Sequence, residues 1–274
     1  QFILIMKHNY VFLLGFLMIF SCSNILRAQN FEVAPISLNF SAEPGETQVK
    51  TITVKNHGSK KTSIVLSFQD YLVYKNGERK TLNAGSSKNS IAEWITLNPS
   101  YLEINPNEAQ TVEVNFQAPN DDYSSLWGLL NVTTAKEQTS FGADKDLSAG
   151  LNVFGRINVE LSYSPRSETN KRVQISNLKE VTPPNDSSRK FTVNIDNLGN
   201  TITDCEVYLI ASNLSTLHEK RFETVNIKAY PQTSRNVELT LPDTLPEGTY
   251  SLSAILDYGS SKALEGTQIT IEVD

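Results

Sequence analysis

Hydrophobic and polar positions alternate along most of this chain, and the longest regular run is "LNVFGRINVELSYSP", residues 151–165. Its odd positions are Leu151, Val153, Gly155, Ile157, Val159, Leu161 and Tyr163; its even positions, Phe154 apart, are polar, and Pro165 ends the run. Successive side chains of an extended strand point to opposite faces, so the run predicts a long strand with one apolar and one wet side. Whether that apolar side closes the protein's own core or receives another chain is the question it poses.

The same period recurs on both sides of it. "FEVAPISLNF", "TQVKTITVKN", "TSIVLSFQDYLVY", "AEWITLNPSYLEINPNEAQTVEVNFQAP" and "YSSLWGLLNVTT" precede it, separated by "EPGE", "HGSKK" and "KNGE". No amphipathic helical pattern intervenes. About seven short strands at this spacing are the mark of an immunoglobulin-like sandwich. Pro165 and the polar "RSETNKR" read as a hinge-length linker. A second series then runs from "VQISNLKEV" to "GTQITIEV", with turns at "NLGN" and "LPEG". The expected fold is all-β, with two tandem immunoglobulin-like β-sandwiches at 29–165 and 173–274 and a linker at 166–172. No sequence repeat joins the two series.

The first 28 residues read differently. Lys7 precedes the apolar run "YVFLLGFLMIF", too short to span a bilayer but suited to an export signal, and small Ala28 offers a cleavage point. The rival reading is a lipid anchor on Cys22, in "IFSC". Either places the protein in the periplasm or cell envelope of a bacterium. Without Lys7 and Arg27 the balance is 22 basic against 30 acidic residues, or −8, which argues against nucleic-acid binding. Only Cys205 would remain after cleavage near Ala28, so no internal disulfide could form. No later run is long enough for a membrane span.

Reactive groups are scarce. His57 and His218 lie in different domains with no ligand at metal spacing, and no nucleophile elbow or phosphate loop occurs. Asp121 with Asp122, and Asp144 with Asp146, are acid pairs that could hold an ion, although the spacing of a calcium loop is absent. Cys205, within alternating "TDCEVYLI", reads as a buried thiol. The inventory predicts a non-enzyme without cofactor.

Residues 31–165 resemble the N-terminal domain of the PapD-like periplasmic pilus-assembly chaperones. The likeness rests on "ISLNF", "LNPSYLEINPNEAQTVEVNF", "SSLWGLLNV" and above all "INVELSYSP". It implies a last strand whose alternating apolar residues are lent to an incomplete partner subunit, which is strand addition between chains. Leu151 and Val153 match that pattern, and Gly155 departs from it. The resemblance also implies a basic pair that anchors a partner's C-terminal carboxylate. Glu160 stands where its lysine belongs and Ser37 where its arginine belongs; Arg156, four residues along the same strand face, reads either as the neighbouring positive charge or as a surface residue. The opening "FEVAP" is similar, more weakly, to WxL-interacting surface sandwich proteins.

The expected function is therefore non-enzymatic: a periplasmic chaperone or assembly factor holding an exported client at Leu151, Val153, Arg156 and Ile157. The alternative is a structural or adaptor component of an envelope export, adhesion or motility complex.

Overall fold

The computed structural model describes residues 30–120, 123–135, 155–167, 170–186, 188–242, 245–259 and 264–273. They form two β-sandwiches, each around its own core.

The first contains β1 (Phe31–Ala34), β2 (Ser37–Phe40), β3 (Thr47–Asn56), β4 (Thr62–Val73), β5 (Arg79–Asn83), β6 (Ile95–Asn98), β7 (Tyr101–Ile104), β8 (Ala109–Gln117), β9 (Leu126–Thr134) and β10 (Arg156–Tyr163). One sheet has the order β1-β3-β8-β6; the other runs β2-β10-β9-β4-β5, with β7 also beside β4. Inward residues such as Ile52, Val54, Val112, Val114 and Val159 are buried while their neighbours are not, as the alternation predicts, whereas central β9 is buried on both faces from Leu126 to Val132. One reading changes. "FEVAPISLNF" reads as a single strand, yet β1 pairs antiparallel with β3 while β2 pairs parallel with β10 in the opposite sheet. The switch falls at Pro35, which has no N–H to continue a ladder.

The second sandwich contains β11 (Val173–Glu180), β12 (Arg189–Asn197), β13 (Thr203–Asn213), β14 (Glu219–Arg221), β15 (Val225–Ala229), β16 (Thr233–Leu241), β17 (Gly248–Asp257) and β18 (Glu265–Val273). Its sheets are β11-β12-β16 and β14-β13-β17-β18, with β15 also on β13.

The sequence shows no repeat, but the ladders do. β1, β3, β8, β4, β7, β5, β9 and β10 pair among themselves as β11, β12, β16, β13, β15, β14, β17 and β18 do. One side-chain device occurs in both. Buried Asn56 donates through Nδ2 to the carbonyls of Lys60 (2.8 Å) and Ile104 (3.0 Å), and its Oδ1 accepts the Gly58 N–H (2.8 Å). Buried Asn197 donates to Thr201 (2.9 Å) and Ala229 (2.8 Å) and accepts from Gly199 (2.9 Å). Each amide thus ties a tight turn to the neighbouring strand and leaves no buried polar atom of its own unmet.

The junction is closely packed. Linker carbonyls of Asn170 and Arg172 accept from Asn200 (3.3 Å) and Leu198 (2.8 Å). Gly199 is required there, since a Cβ would lie 2.2 Å from the Asn170 carbonyl oxygen. Tyr71, Trp127 and Leu129 of the first sandwich and Tyr230 of the second form a third buried cluster between the two cores. Ser125 donates its N–H to the Asn200 carbonyl (3.0 Å), its Oγ accepts from Ile202 (3.1 Å), and Asn236 donates to the Lys75 carbonyl (2.5 Å). An aromatic cluster with satisfied backbone groups fixes the domains against each other.

Candidate functional site

The candidate site is the edge of β10 and the interdomain cleft into which that strand runs. β10 pairs with β9 along its whole length, Arg156 opposite Thr133 to Tyr163 opposite Leu126. Its other edge is divided. Glu160–Tyr163 pair with Ser37–Phe40 of β2, and Glu160 and Ser164 donate to the Ile36 (2.9 Å) and Phe40 (3.1 Å) carbonyls. Arg156–Val159 have no strand on that side among the described residues. Peptide groups of alternate residues point to opposite edges of a strand. Glu160 and Ser164 point theirs towards β2, so Arg156 and Asn158 turn their N–H and C=O groups to the uncovered edge.

The side chains are distributed differently from the backbone. Val159, Leu161 and Tyr163 are buried in the first core and Ile157 packs against it. Arg156 and Asn158 are exposed. Ile157, expected on a partner-binding surface, therefore serves this protein's own core, and what β10 leaves available at these positions is backbone. Gly155 has a local reason. A Cβ there would lie 2.8 Å from Cε1 of Phe31, so the β1 ring occupies the place where the apolar series would put a side chain. Leu151, Val153, Cys22, Asp121, Asp122, Asp144 and Asp146 lie outside the described residues.

At its far end β10 enters the cleft. Ser37 and Glu160, the two positions of the expected basic pair, are register partners. Neither is basic. Glu160 is paired with Arg79 of β5 at 2.5 Å, and Arg156 is exposed, which agrees with its reading as a surface residue. The Arg79 guanidinium lies 4.8 Å from the Tyr71 ring centroid, and its Nη2 is 3.4 Å from the Tyr230 hydroxyl. The Tyr71 and Tyr230 hydroxyls are hydrogen-bonded at 2.8 Å, and Trp127 Nε1 donates to the Tyr71 carbonyl at 3.1 Å. A small cavity of about 90 Å³ remains, lined by Ser37, Tyr71, Glu160, Ile202, Lys228 and Tyr230.

The electrostatics are closed on themselves. Burial works against the Arg79 charge, but the Glu160 hydrogen bond and the surrounding phenols and carboxylate outweigh it, and its proton is held more tightly than usual. Burial, reinforced by Tyr230, raises the Tyr71 phenol well above its ordinary range. Lys228 is paired with Asp204 at 2.9 Å. Among the described residues around the cavity, Arg79 and Lys228 are each paired with a carboxylate, an arrangement that does not favour a further anion there. Sequence reasoning missed Arg79, Tyr71 and Tyr230, because a turn arginine and two strand tyrosines carry no local signal of meeting across two domains.

Cys205 is buried, and burial together with the charges of Asp204 and Asp257 pushes its thiol up to about 12, the opposite of a nucleophile's environment. Among the described residues no group of three His, Cys, Asp or Glu side chains could hold a metal, and no helix is long and apolar enough to cross a membrane.

No protein-family model matches the chain, and no curated protein does. Solved structures do. The class 5 fimbriae chaperone CfaA is similar at 12% identity over 89% of this chain and 100% of that one, with a TM-score of 0.48. A chain of the CsuC–CsuE chaperone–tip adhesion subunit pre-assembly complex from Acinetobacter baumannii Csu pili is similar at 9% identity, over 87% and 98%, with a TM-score of 0.46. The Salmonella enterica SafA pilin–SafB chaperone complex gives 12%, 87%, 96% and 0.41. At such identities and TM-scores no residue role passes from them to this chain.

Proposed function

We propose that this protein is an exported, non-enzymatic protein-binding protein, a chaperone or assembly factor that holds an exported client by β-strand addition to β10. The observation that carries this reading is the divided edge of β10, covered by β2 at Glu160–Tyr163 and uncovered among the described residues at Arg156–Val159. A client strand laid there pairs with the outward peptide groups of Arg156 and Asn158, continues along Val153 and Leu151, and stops at Ile36, where β2 takes over. Main-chain bonds supply the affinity and alternate side chains the selectivity. The pairing of Arg79 with Glu160 and of Lys228 with Asp204 supports a role for the cleft in fixing the domains over one in clamping a client carboxylate.

The test is capture of envelope proteins, identified by mass spectrometry, by the intact protein and two variants. Asn158→Pro deletes an outward N–H at an edge that tolerates proline. Replacing Leu151 and Val153 with Glu removes the apolar face upstream. Loss of the same captured proteins from both variants, with unfolding temperature unchanged, supports the reading. Unchanged capture contradicts it, and a persistent stoichiometric complex that survives both changes favours an envelope adaptor instead.

A further inference from the structure

Strand β4 is shared unevenly between its neighbours. It pairs with β9 only from Ile64 opposite Thr134 to Gln69 opposite Leu129, yet it continues along β5 to Val73 opposite Arg79. β9 also runs on, beside β10, to Leu126. Residues 89–91 fill the gap that opens between them. The Trp127 N–H donates to the Asn89 carbonyl (2.9 Å), the Trp127 carbonyl accepts from Ile91 (3.4 Å), and Ser90 stands beside Trp127 as a parallel bridge. In a continued β4–β9 register Tyr71 would face Trp127 and exchange hydrogen bonds with those same groups. Instead, the Tyr71 carbonyl receives the Trp127 indole Nε1 (3.1 Å).

One carboxyl group pins this insert. By the period of β4, Asp70 points into the sandwich, on the face that carries Ile64 and Leu66. It is fully buried, and it is the only buried acidic side chain among the described residues. Its two oxygens accept the Ser90 hydroxyl (2.7 Å) and the Ser87 N–H (2.8 Å), and no lysine, arginine or histidine pairs with it among the described residues. Ser90 Oγ in turn accepts the N–H groups of Gly85 (3.3 Å) and Ala92 (3.2 Å). An acid at a core position is costly to bury without a counter-charge, and local rules of this kind are broken where a structure has a further task.

The insert reaches both halves of the domain junction. Asn89 Nδ2 donates to the Ser125 carbonyl (3.0 Å), and Ser125 holds the second sandwich through Asn200 and Ile202. The part of the β4–β5 hairpin beyond the split carries Tyr71 and Arg79, which meet Tyr230, and Lys75, whose carbonyl accepts from Asn236. Continuing the β4–β9 ladder would bring Val73 opposite Ser125. Val73 would then claim the Ser125 N–H that now binds Asn200 and the Ser125 carbonyl that now binds Asn89. Closing this ladder and docking the second domain therefore compete for the same backbone groups.

We propose that residues 87–91 are a removable keystone of the domain junction, with Asp70 and Ser90 as its pin. With the keystone in place, β4 and β9 stay split and the second sandwich is docked. When it leaves, Tyr71 and Val73 zip onto Trp127 and Ser125, the Ser125–Asn200 bond is lost, and the second sandwich is released. The two arrangements use the same donors and acceptors, so the element is bistable. Asp70 acts through Ser87 and Ser90 and is a positioning residue for the cleft. The device is independent of the strand addition proposed on β10.

The test is native-state amide exchange of the full protein, followed by NMR, in the parent, Asp70→Asn and Asp70→Val. Asp70→Asn keeps the shape but turns one acceptor into a donor, and Asp70→Val supplies the apolar residue usual at an inward position. In the parent, the amides of Ile91, Ile202 and Asn236 should open together, ahead of the core amides of Val54 and Leu252. In Asp70→Asn those three should quicken by one common factor of about tenfold or more. The Trp127 and Ser125 amides, which find new partners in Tyr71 and Val73, should not quicken, and Val54 and Leu252 should stay unchanged. Asp70→Val should add a close Hα–Hα contact between Leu72 and Leu126, the mark of the zipped register. Unchanged exchange in Asp70→Asn would overturn the proposal, as would quickening of Ile91 without Ile202 and Asn236. Equal quickening of Trp127 and Ser125 would mean fraying in place of re-pairing and would overturn it too. So would an Asp70→Val spectrum without the Hα contact, or loss of protection at Val54 and Leu252 in either variant, since Asp70 would then support the core as a whole.

Discussion

Replacing Tyr230 with alanine should uncouple the two sandwiches while leaving both cores intact. Tyr230 belongs to the second domain, is 3% exposed, and packs on Trp127 (centroids 5.1 Å apart) and Tyr71 (5.9 Å) of the first. A tyrosine buries at least roughly 150 Å², which at about 25 cal/mol per Å² is close to 4 kcal/mol. Large-to-small changes of buried aromatics cost a similar 3–5 kcal/mol or so. The Tyr71 hydroxyl also loses its 2.8 Å partner, although Arg79 and entering water can partly replace it. What then joins the domains is chiefly the backbone bonds of Ser125, Ile202 and Asn236, each contributing about 0.5–1.5 kcal/mol. Calorimetry should show one transition for the parent and two for the variant, the first lower by about 8–16 °C. Small-angle scattering should show a larger radius of gyration. Tyr230→Phe, which keeps the ring, should lose only about 1–2 kcal/mol and retain a single transition. A single transition for Tyr230→Ala within about 2 °C of the parent would refute the reasoning, because it would mean that the cluster does not hold the domains.

Three further outcomes are expected. Gly155→Ala should destabilise the first sandwich by about 1–3 kcal/mol through overpacking on the Phe31 ring, measured by urea unfolding, and Phe31→Leu in the same chain should restore most of it. Asn197→Ala should cost about 3 kcal/mol, since it removes two buried hydrogen bonds to carbonyls and leaves the Gly199 N–H without its acceptor in the second domain, and Asn56→Ala should do the same to the first. Tyr71 makes the junction sensitive to alkali. Its folded pKa is raised, so the native state holds the proton longer than the unfolded chain, and its contribution is complete below about pH 10 and declines above it by up to about 1.4 kcal/mol per pH unit. Unfolding temperatures at pH 9 and pH 11 should accordingly fall less in Tyr71→Phe than in the parent.

Local pattern carried most of the fold. Alternation in "TQVKTITVKN" and "INVELSYSP" places Ile52, Val54, Val159 and Leu161 inward because the pleat has a period of two, whatever the tertiary context. It could not show that "FEVAPISLNF" divides between two sheets, since both halves alternate equally well and the choice of partner strand is a long-range matter. Nor could it show the repeated ladder, because the two domains share turn geometry, as at Asn56 and Asn197, without sharing their core residues. The site was legible in part. The run ending at Pro165 pointed to β10, but period alone cannot say which edge of a strand stays uncovered. Arg79 was invisible for the same reason: it meets Glu160 across strands β5 and β10 and Tyr230 across domains, and the residue that looked nearest along the chain, Arg156, is exposed and is not Glu160's partner.

The central claim is tested most directly at one peptide group. Amide exchange of Asn158 should be fast in the free protein, since its N–H points away from β9, and should slow by about a hundredfold or more when a captured envelope client is bound. Exchange at Asn158 that is the same with and without client, while the client demonstrably remains bound, would contradict it.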